Sequence, residues 1–426
     1  MGRTAAQTPP MGWNSWDCYG ASVREDEVRG NAEYMAAHLK RFGWEYVIVD
    51  IQWFEPNAKS DQYNPHAPLV MDEYSRLMPA ENRFPSAAGG KGFKPLADYV
   101  HSLGLKFGIH ILRGIPRQAV AANTPILGTD YRAADIADTA STCAWNTDMY
   151  GVDPAKPGSQ EYYNSLFQLY AQWGVDYVKV DDIAAPAYHQ GEVELIRRAI
   201  DSCGREMVLS LSPGPTPLSA AEHVSKWANM WRMTNDFWDR WEDLLAMFGY
   251  ADAWSRYIGP GHWPDADMLP LGRIGIRSAW GDRYTRFTKD EQVTLMSLWA
   301  IIRSPLMFGG DLRFNDEWTT ALITNEEVLR ITKHSSGNRQ LYREGDAAAW
   351  TAVGEDGSVY LAHFNLGQTE GTIATELSQL GLSGKYQVRD LWACRDLGSV
   401  DQWVVTAVPA HGARLLQLRE ESQACY

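Results

Sequence analysis

Short runs of β-branched and aromatic residues that end in polar side chains recur along this chain. Residues 174–183, GVDYVKVDDI, begin with strand formers and end in Lys179, Asp181 and Asp182. The run lacks helical periodicity, which predicts a buried strand with charged groups at its carboxyl end. Residues 46–53, YVIVDIQW, repeat the pattern and end near Asp50. One such strand could simply precede an acidic helix cap, but the recurrence favours a shared architecture.

Eight runs of this kind alternate with segments of helical periodicity. They predict strands that begin near residues 11, 46, 106, 177, 207, 230, 262 and 304. The pairs Ser22 with Glu25 and Thr288 with Glu291 are typical of capping boxes at helix starts. Eight strands with intervening helices predict an α/β fold, a (β/α)8 TIM barrel, whose chemistry lies at the carboxyl ends of the strands. We expect the barrel to span residues 8–330.

The pattern changes after Asn325, which is predicted to cap a short helix. Residues 333–338, KHSSGN, are predicted to form a linker. Beyond them apolar and polar residues alternate, and Asp356-Gly357 between two such runs indicates a hairpin. We expect a small C-terminal antiparallel β-sandwich domain at 338–421 that packs on the barrel. Residues 113–160 form an insertion without periodicity, whose aromatic content predicts an ordered loop.

Composition restricts the partners. The net charge of −14 argues against binding to nucleic acid or to an anionic membrane. No stretch approaches the roughly 20 apolar residues of a membrane span. The 18 Trp and 20 Tyr suit a sugar ligand, because flat aromatic rings cover the apolar faces of sugar rings. We therefore expect an oligosaccharide or glycoside substrate, and homo-oligomerisation is left open.

The cysteines are widely spaced and contain no CxxC pair, which predicts neither a disulfide framework nor a zinc site. They are Cys18, Cys143, Cys203, Cys394 and Cys425. Glycine-rich phosphate or dinucleotide fingerprints are also missing, so no cofactor and no metal are expected. The chain is expected to be cytoplasmic.

The predicted strand ends carry many groups that could bond a hydroxyl. They are Trp16, Asp50, His110, Lys179, Asp181, Asp182, Ser212, Arg232, Asp236, Asp265 and Asp267. Two carboxylates on nonadjacent strands, with a lysine and an arginine nearby, suit glycoside hydrolysis. Lys179 shares a strand face with Asp181 and would help to keep that carboxylate ionised. The alternative from another class is a non-catalytic sugar-binding barrel.

Six motifs in this chain, spread over nearly its whole length, resemble the ordered motifs of glycoside hydrolase family 27, the α-galactosidase family. They are PPMGWNSWD (9–17), VDIQW (49–53), YVKVDD (177–182), WRMTNDFWDRW (231–241), GPGHWPDADML (259–269) and SPLMFGGDLR (304–313). The resemblance implies a barrel followed by an antiparallel β domain and a retaining mechanism. By it, Asp181 matches the nucleophile and Asp236 the acid/base. The sugar-contacting positions match Trp16, Asp50, Lys179, Arg232 and Asp267.

Three departures from the family pattern bear on the sugar. Ile51 replaces an aspartate that is expected to bind the O6 hydroxyl, and β-L-arabinopyranose is α-D-galactopyranose without that group. This favours a β-L-arabinopyranosidase over an ordinary α-galactosidase, unless Ile51 points into the core. Ser212 stands where a glutamate often binds O2 and also resembles the α-N-acetylgalactosaminidase branch. His110 replaces an aromatic hydroxyl, and all three residues are expected to contact the substrate.

Overall fold

Eight parallel strands form a closed ring in the computed structural model, which describes residues 5–421. The strands are β1 (Met11–Asn14), β2 (Tyr46–Val49), β3 (Lys106–Leu112), β4 (Tyr177–Asp181), β5 (Val208–Leu211), β6 (Met230–Arg232), β7 (Trp263–Asp265) and β8 (Leu306–Phe308). They pair in chain order, β8 lies beside β1, and a bridge from Leu269 to Phe308 closes the ring. The TIM-barrel prediction is confirmed.

Strand β4 shows how alternation positions the chemistry. Val178 and Val180 are fully buried and pack in the layer between strands and helices. Tyr177 instead belongs to a cluster inside the ring, with Tyr46 from β2. Because successive side chains of a strand point to opposite faces, Lys179 and Asp181 lie on the same inner side as Tyr177.

Helices surround the ring. Those of at least seven residues are Glu25–Tyr34, Lys94–Ser102, Ser159–Trp173, Gln190–Ser202, Ala221–Trp227, Trp241–Trp254, Lys289–Ile301, Glu317–Ile323 and Glu326–His334. The predicted caps Thr288 and Asn325 are confirmed, since each side chain accepts backbone N–H bonds at its helix start. The predicted cap Ser22 is wrong. Ser22 Oγ donates to Tyr19 O at 2.7 Å, and the helix begins at Glu25 after Arg24.

The C-terminal domain consists of antiparallel strands in a six-stranded and a two-stranded sheet. They are β9 (Ser335–Glu344), β10 (Ala347–Gly354), β11 (Val359–Asn365), β12 (Gly371–Glu376), β13 (Tyr386–Asp390), β14 (Arg395–Val400), β15 (Trp403–Val408) and β16 (Ala413–Glu420). The hairpin predicted at Asp356-Gly357 joins β10 to β11. The predicted linker at 333–338 is wrong: Ser335 pairs with Gly354, and Asn338 Nδ2 donates to Ile301 O at 2.7 Å. The domain limits 8–330 and 338–421 stay predictions.

One side chain of the C-terminal domain is fixed against two barrel helices. The imidazole of His411 stacks on the indole of Trp241 with 3.7 Å between ring centroids and 6° between planes. Its Nδ1 lies 2.8 Å from Glu291 Oε1, and Thr294 Oγ1 donates to its carbonyl oxygen at 2.6 Å. Stacking and two polar contacts therefore hold this residue in one orientation.

The predicted order of the insertion at 113–160 is confirmed. It contains a three-stranded sheet of Ile115–Pro116, Ala137–Thr142 and Met149–Val152, with short helices at Arg117–Ala122 and Ala133–Ile136.

Cys18, Cys143, Cys203 and Cys394 are unpaired, and Cys425 lies outside the described residues. Among residues 5–421, no helix combines the length and apolarity needed to cross a bilayer. A cytoplasmic location stays a prediction.

We expect His363 to make stability depend on pH. It is fully buried on β11, and its ring nitrogens lie 2.8 Å from Thr375 Oγ1 and Thr406 Oγ1 of the facing sheet. Burial lowers the pKa of His363 to about 4. Between this value and the ordinary pKa near 6.5, the unfolded chain binds the extra proton, so stability falls as pH falls through that window.

The full effect is roughly 3 kcal/mol. Calorimetric unfolding of the wild type and His363→Gln across the window measures it. The variant should lose less stability on acidification. Parallel pH curves for the two proteins would contradict the assignment.

Candidate active site

A cavity of about 670 Å³ opens at the carboxyl ends of the barrel strands. Most of the predicted site residues line it: Trp16, Asp50, Ile51, Lys179, Asp181, Arg232, Asp236 and Asp267. The two others, His110 and Ser212, are absent from its lining. Both are buried behind the wall, where they bond to Asp181.

Asp181 ends β4 and is held by three hydrogen-bond donors. His110 Nε2 lies 3.0 Å from its Oδ2, while Ser212 Oγ at 3.1 Å and the backbone N–H of Asp182 at 2.9 Å donate to its Oδ1. Burial raises the pKa of this carboxyl, but His110, Lys179 and the Asp182 N–H outweigh burial and lower it to about 2. Asp181 is therefore ionised at neutral pH with a fixed orientation.

Lys179 and Asp50 form a buried ion pair beside Asp181. Lys179 Nζ lies 3.1 Å from Asp50 Oδ2, which also accepts from Asn14 Nδ2 at 2.8 Å. Burial lowers the pKa of Lys179, but the carboxylates of Asp50 and Asp181 raise it above its ordinary value. The lysine stays charged, and the alternation predicted from the sequence brings it to the cavity.

Arg232 links the two remaining carboxylates. Its Nη2 lies 3.1 Å from Asp236 Oδ1 and 2.9 Å from Asp267 Oδ2. The Asp236 side chain is 64% exposed, whereas Asp267 is 8% exposed and also accepts the backbone N–H of Phe237 at 2.8 Å. Burial raises the pKa of Asp267 to about 6 although Arg232 opposes the rise. Asp236 is thus the carboxyl that solvent reaches most easily.

Asp182 follows Asp181 but contacts a different set of groups. Its Oδ2 lies 3.1 Å from Arg113 Nη2, and Arg113 Nη1 lies 2.9 Å from Glu192 Oε1. Burial raises the pKa of Asp182 to about 6 despite the arginine. These buried ion pairs connect the end of β4 to the first residue of the insertion. Asp182 is absent from the cavity lining and supports the end of β4 instead.

Part of the cavity wall is apolar. Ile51, directly after Asp50, is 1% exposed and contributes to the lining. After β5 the wall is made by Pro213, Gly214 and Pro215. A Cβ on Gly214 would lie 2.0 Å from Thr234 O, so the chain can pass there only as glycine. Ile51 also belongs to the large hydrophobic core cluster of the barrel. Its contact with the sugar therefore stays a prediction.

Sequence reasoning missed Asp17. This side chain is 3% exposed and lines the cavity, and its Oδ2 has no hydrogen-bond partner within residues 5–421. It packs on Gly309, where a Cβ would lie 2.0 Å from that oxygen. Burial and the charge of Asp267 raise the pKa of Asp17 well above its ordinary value. Its position next to Trp16 in the MGWNSWD motif was a signal that could have found it.

Two aromatic residues were also missed. Tyr63 stacks on Trp16 with 6.0 Å between ring centroids, and Trp145 lies 5.7 Å from Tyr63. Both line the cavity, and Trp145 comes from the insertion. They lie in loops without periodicity, so the sequence pattern held no signal for them. The insertion therefore contributes directly to the cavity wall.

Two family models match almost the whole chain. The model for Alpha galactosidase A matches residues 8–156 and 154–334, and the model for the Alpha galactosidase C-terminal beta sandwich domain matches residues 344–418. The chain therefore belongs to the α-galactosidase family, glycoside hydrolase family 27, and it is a glycoside hydrolase. The resemblance found in the six motifs is confirmed.

Several relatives resemble the chain over its full length. A family 27 β-L-arabinopyranosidase from Geobacillus stearothermophilus, also solved with arabinose, is 62% identical with a TM-score of 0.98, covering 99% of this chain and 98% of its own. A Bacillus halodurans protein provisionally assigned as an α-N-acetylgalactosaminidase is 57% identical with a TM-score of 0.90, covering 98% and 99%. An α-galactosidase from Coffea arabica is 30% identical, covering 96% and 93%.

His110→Phe should weaken the reaction and shift its pH dependence. Without the imidazole, Asp181 loses a hydrogen bond and a charge that lower its pKa, so the acidic limb of kcat/KM should move to higher pH. A hydrogen bond to a charged group contributes about 1.5–3 kcal/mol, which corresponds to a fall of roughly 10- to 100-fold. Rates from roughly pH 3 to 8 measure both effects. His110→Gln, which keeps a donor, should retain more activity. An unmoved acidic limb in His110→Phe would rule out this role.

Proposed function

We propose that the chain is a retaining exo-glycosidase that releases terminal β-L-arabinopyranosyl residues and accepts α-D-galactopyranosyl residues more slowly. The observation that carries the proposal is the position of Ile51 in a cavity that also holds Asp181 and Asp236. The two carboxylates carry out the hydrolysis, and Ile51 determines which sugar the cavity prefers.

In the first step Asp181 attacks the anomeric carbon and forms a glycosyl–enzyme ester. A nucleophile must be ionised, and the lowered pKa of Asp181 meets that need at neutral pH. His110 and Ser212 hold one oxygen each, which orients the carboxylate without contacting the sugar. The buried ammonium of Lys179 adds positive charge on the same face.

Asp236 serves as the acid/base. In the first step it gives its proton to the leaving oxygen, and in the second it takes a proton from the water that attacks the ester. Having given up its proton in the first step, it is the carboxylate that the second step needs, and the proton from the water restores its acid form. Its exposure lets that water reach it. Arg232 holds one of its oxygens at 3.1 Å, which directs the side chain along the cavity wall.

Hydroxyl groups of the sugar are bound by Asp50, Lys179, Arg232 and Asp267, and Trp16 covers an apolar face. Ile51 offers no hydrogen bond to a hydroxymethyl group. A buried hydroxyl without a partner costs about 1–3 kcal/mol, which disfavours galactosides by roughly 10- to 100-fold. The name of the 62% identical relative supports the same sugar.

The alternatives are an ordinary α-galactosidase and an α-N-acetylgalactosaminidase. The latter resemblance rested on Ser212, which is buried and bonded to Asp181. A substrate panel with p-nitrophenyl β-L-arabinopyranoside, α-D-galactopyranoside and N-acetyl-α-D-galactosaminide ranks the three activities directly.

Asp181→Ala should abolish turnover while the fold is kept. Loss of a covalent nucleophile is expected to lower kcat by about 10⁴-fold or more. Activity of the purified variant, beside circular dichroism, measures this. NMR of the first-formed sugar from the wild type should show the substrate's own anomeric configuration. Normal turnover by the variant would remove Asp181 from its role, and an inverted first product would exclude double displacement.

Ile51→Asp should shift specificity toward the galactoside. The new carboxylate can accept a hydrogen bond from the hydroxymethyl group, so the ratio of kcat/KM for galactoside over arabinopyranoside should rise by roughly 10- to 100-fold. The p-nitrophenyl pair provides the measurement, and Ile51→Val serves as the apolar control with a ratio near that of the wild type. An unchanged ratio in Ile51→Asp would refute the assignment of Ile51.

A further inference from the structure

An aromatic surface extends from the cavity mouth beside Asp236 to solvent. Trp238 lines the cavity together with Asp236 and is 7% exposed. The indole of Trp280 meets that of Trp238 edge to face, with 4.8 Å between ring centroids and 75° between planes. Trp280 is 53% exposed. An exposed tryptophan joined to a cavity wall is a candidate binding surface, because burial is the rule for so large an apolar side chain.

Arginine side chains surround the Trp280 ring. The guanidinium carbons of Arg240, Arg283 and Arg286 lie 5.9, 5.6 and 5.9 Å from its centroid. Arg283 is fixed in turn by Asp239 Oδ1 at 2.7 Å from its Nη2. The ring is therefore held before any ligand arrives, and guanidinium N–H donors lie around it.

The backbone that presents Trp280 is constrained as well. Trp280 adopts a left-handed conformation with φ 61°, which bulky residues rarely adopt unless their surroundings enforce it. Arg283 Nη1 donates to the carbonyl oxygens of Ala279 at 2.9 Å and Gly281 at 3.1 Å, on either side of Trp280. These two hydrogen bonds from Arg283 stabilise the turn that holds the Trp280 indole at the surface.

We propose that Trp238 and Trp280 form the subsite for the leaving group, and that this subsite takes a pyranose ring of an oligosaccharide. The inference rests on the proposed function, because a leaving oxygen protonated by Asp236 places the rest of the leaving group near Trp238. Stacking on Trp280 covers an apolar face of that ring, and Arg240 and Arg286 donate hydrogen bonds to its hydroxyls. The substrate class is then a glycan in which the released sugar is linked to another sugar.

Two substrates with alkyl leaving groups of similar basicity provide the test. They are methyl β-L-arabinopyranoside and β-L-arabinopyranosyl-(1→6)-D-glucose, with the corresponding galactosides as a second pair. Trp280→Ala should lower kcat/KM for the disaccharide by about tenfold and leave the methyl glycoside within about twofold of the wild type. Trp280→Phe should restore part of the loss.

Tyr284→Ala is the matched control, since Tyr284 lies in the same hairpin and is 57% exposed. It should leave both rates near those of the wild type. Equal effects of Trp280→Ala on both substrates, or none on either, would overturn the subsite while the proposed function stands. A change of oligomeric state in Trp280→Ala, measured by sedimentation, would show a contact between copies instead and also overturn it. Wild-type enzyme that cleaves neither pair would instead refute the proposed function.

Discussion

The structure depends on the pairing of two buried cations with carboxylates at the carboxyl end of the barrel. Lys179 and Arg232 are removed from water, and each is stable there only because carboxylates from other strands meet it. Asp50 comes from the end of β2, Lys179 from β4, and Asp267 follows β7. A slip in strand register would separate these partners, so the cluster and the barrel require each other.

The same cluster holds more acids than permanent cations, which bears on the ligand. One lysine and one arginine line the cavity together with five aspartates. The aspartates are Asp17, Asp50, Asp181, Asp236 and Asp267. The pKa values of Asp17 and Asp267 are raised in response, whereas that of Asp181 is lowered by its donors. A neutral molecule rich in hydroxyl groups suits such a cavity, because its O–H donors can replace water around the carboxylates without adding charge.

Local periodicity explains what the sequence predicted well. The side-chain alternation in β4 placed Lys179 and Asp181 on one face, and the repeated strand pattern predicted the barrel. Periodicity within one strand could not predict the role of a side chain that contacts a residue on a neighbouring strand. His110 pairs in register with Lys179 across β3 and β4, so its ring reaches Asp181 instead of the cavity. Tyr63 and Trp145 come from loops whose paths are set by packing. The 333–338 segment looked like a linker by composition, but its first two residues end a helix, and Ser335 and Ser336 pair with strand β10.

The stack of His411 on Trp241 has a consequence for how the two domains can be combined. Trp241 begins the helix that directly follows the loop bearing Asp236 and Trp238, so a residue of the C-terminal domain fixes the far end of that loop. A chimera that joined this barrel to the β domain of a distant relative would lose this stack and would also disturb the hydrophobic core that the two domains share, where Phe364 packs against Phe248. The two domains are therefore expected to be inherited together, as a matched pair.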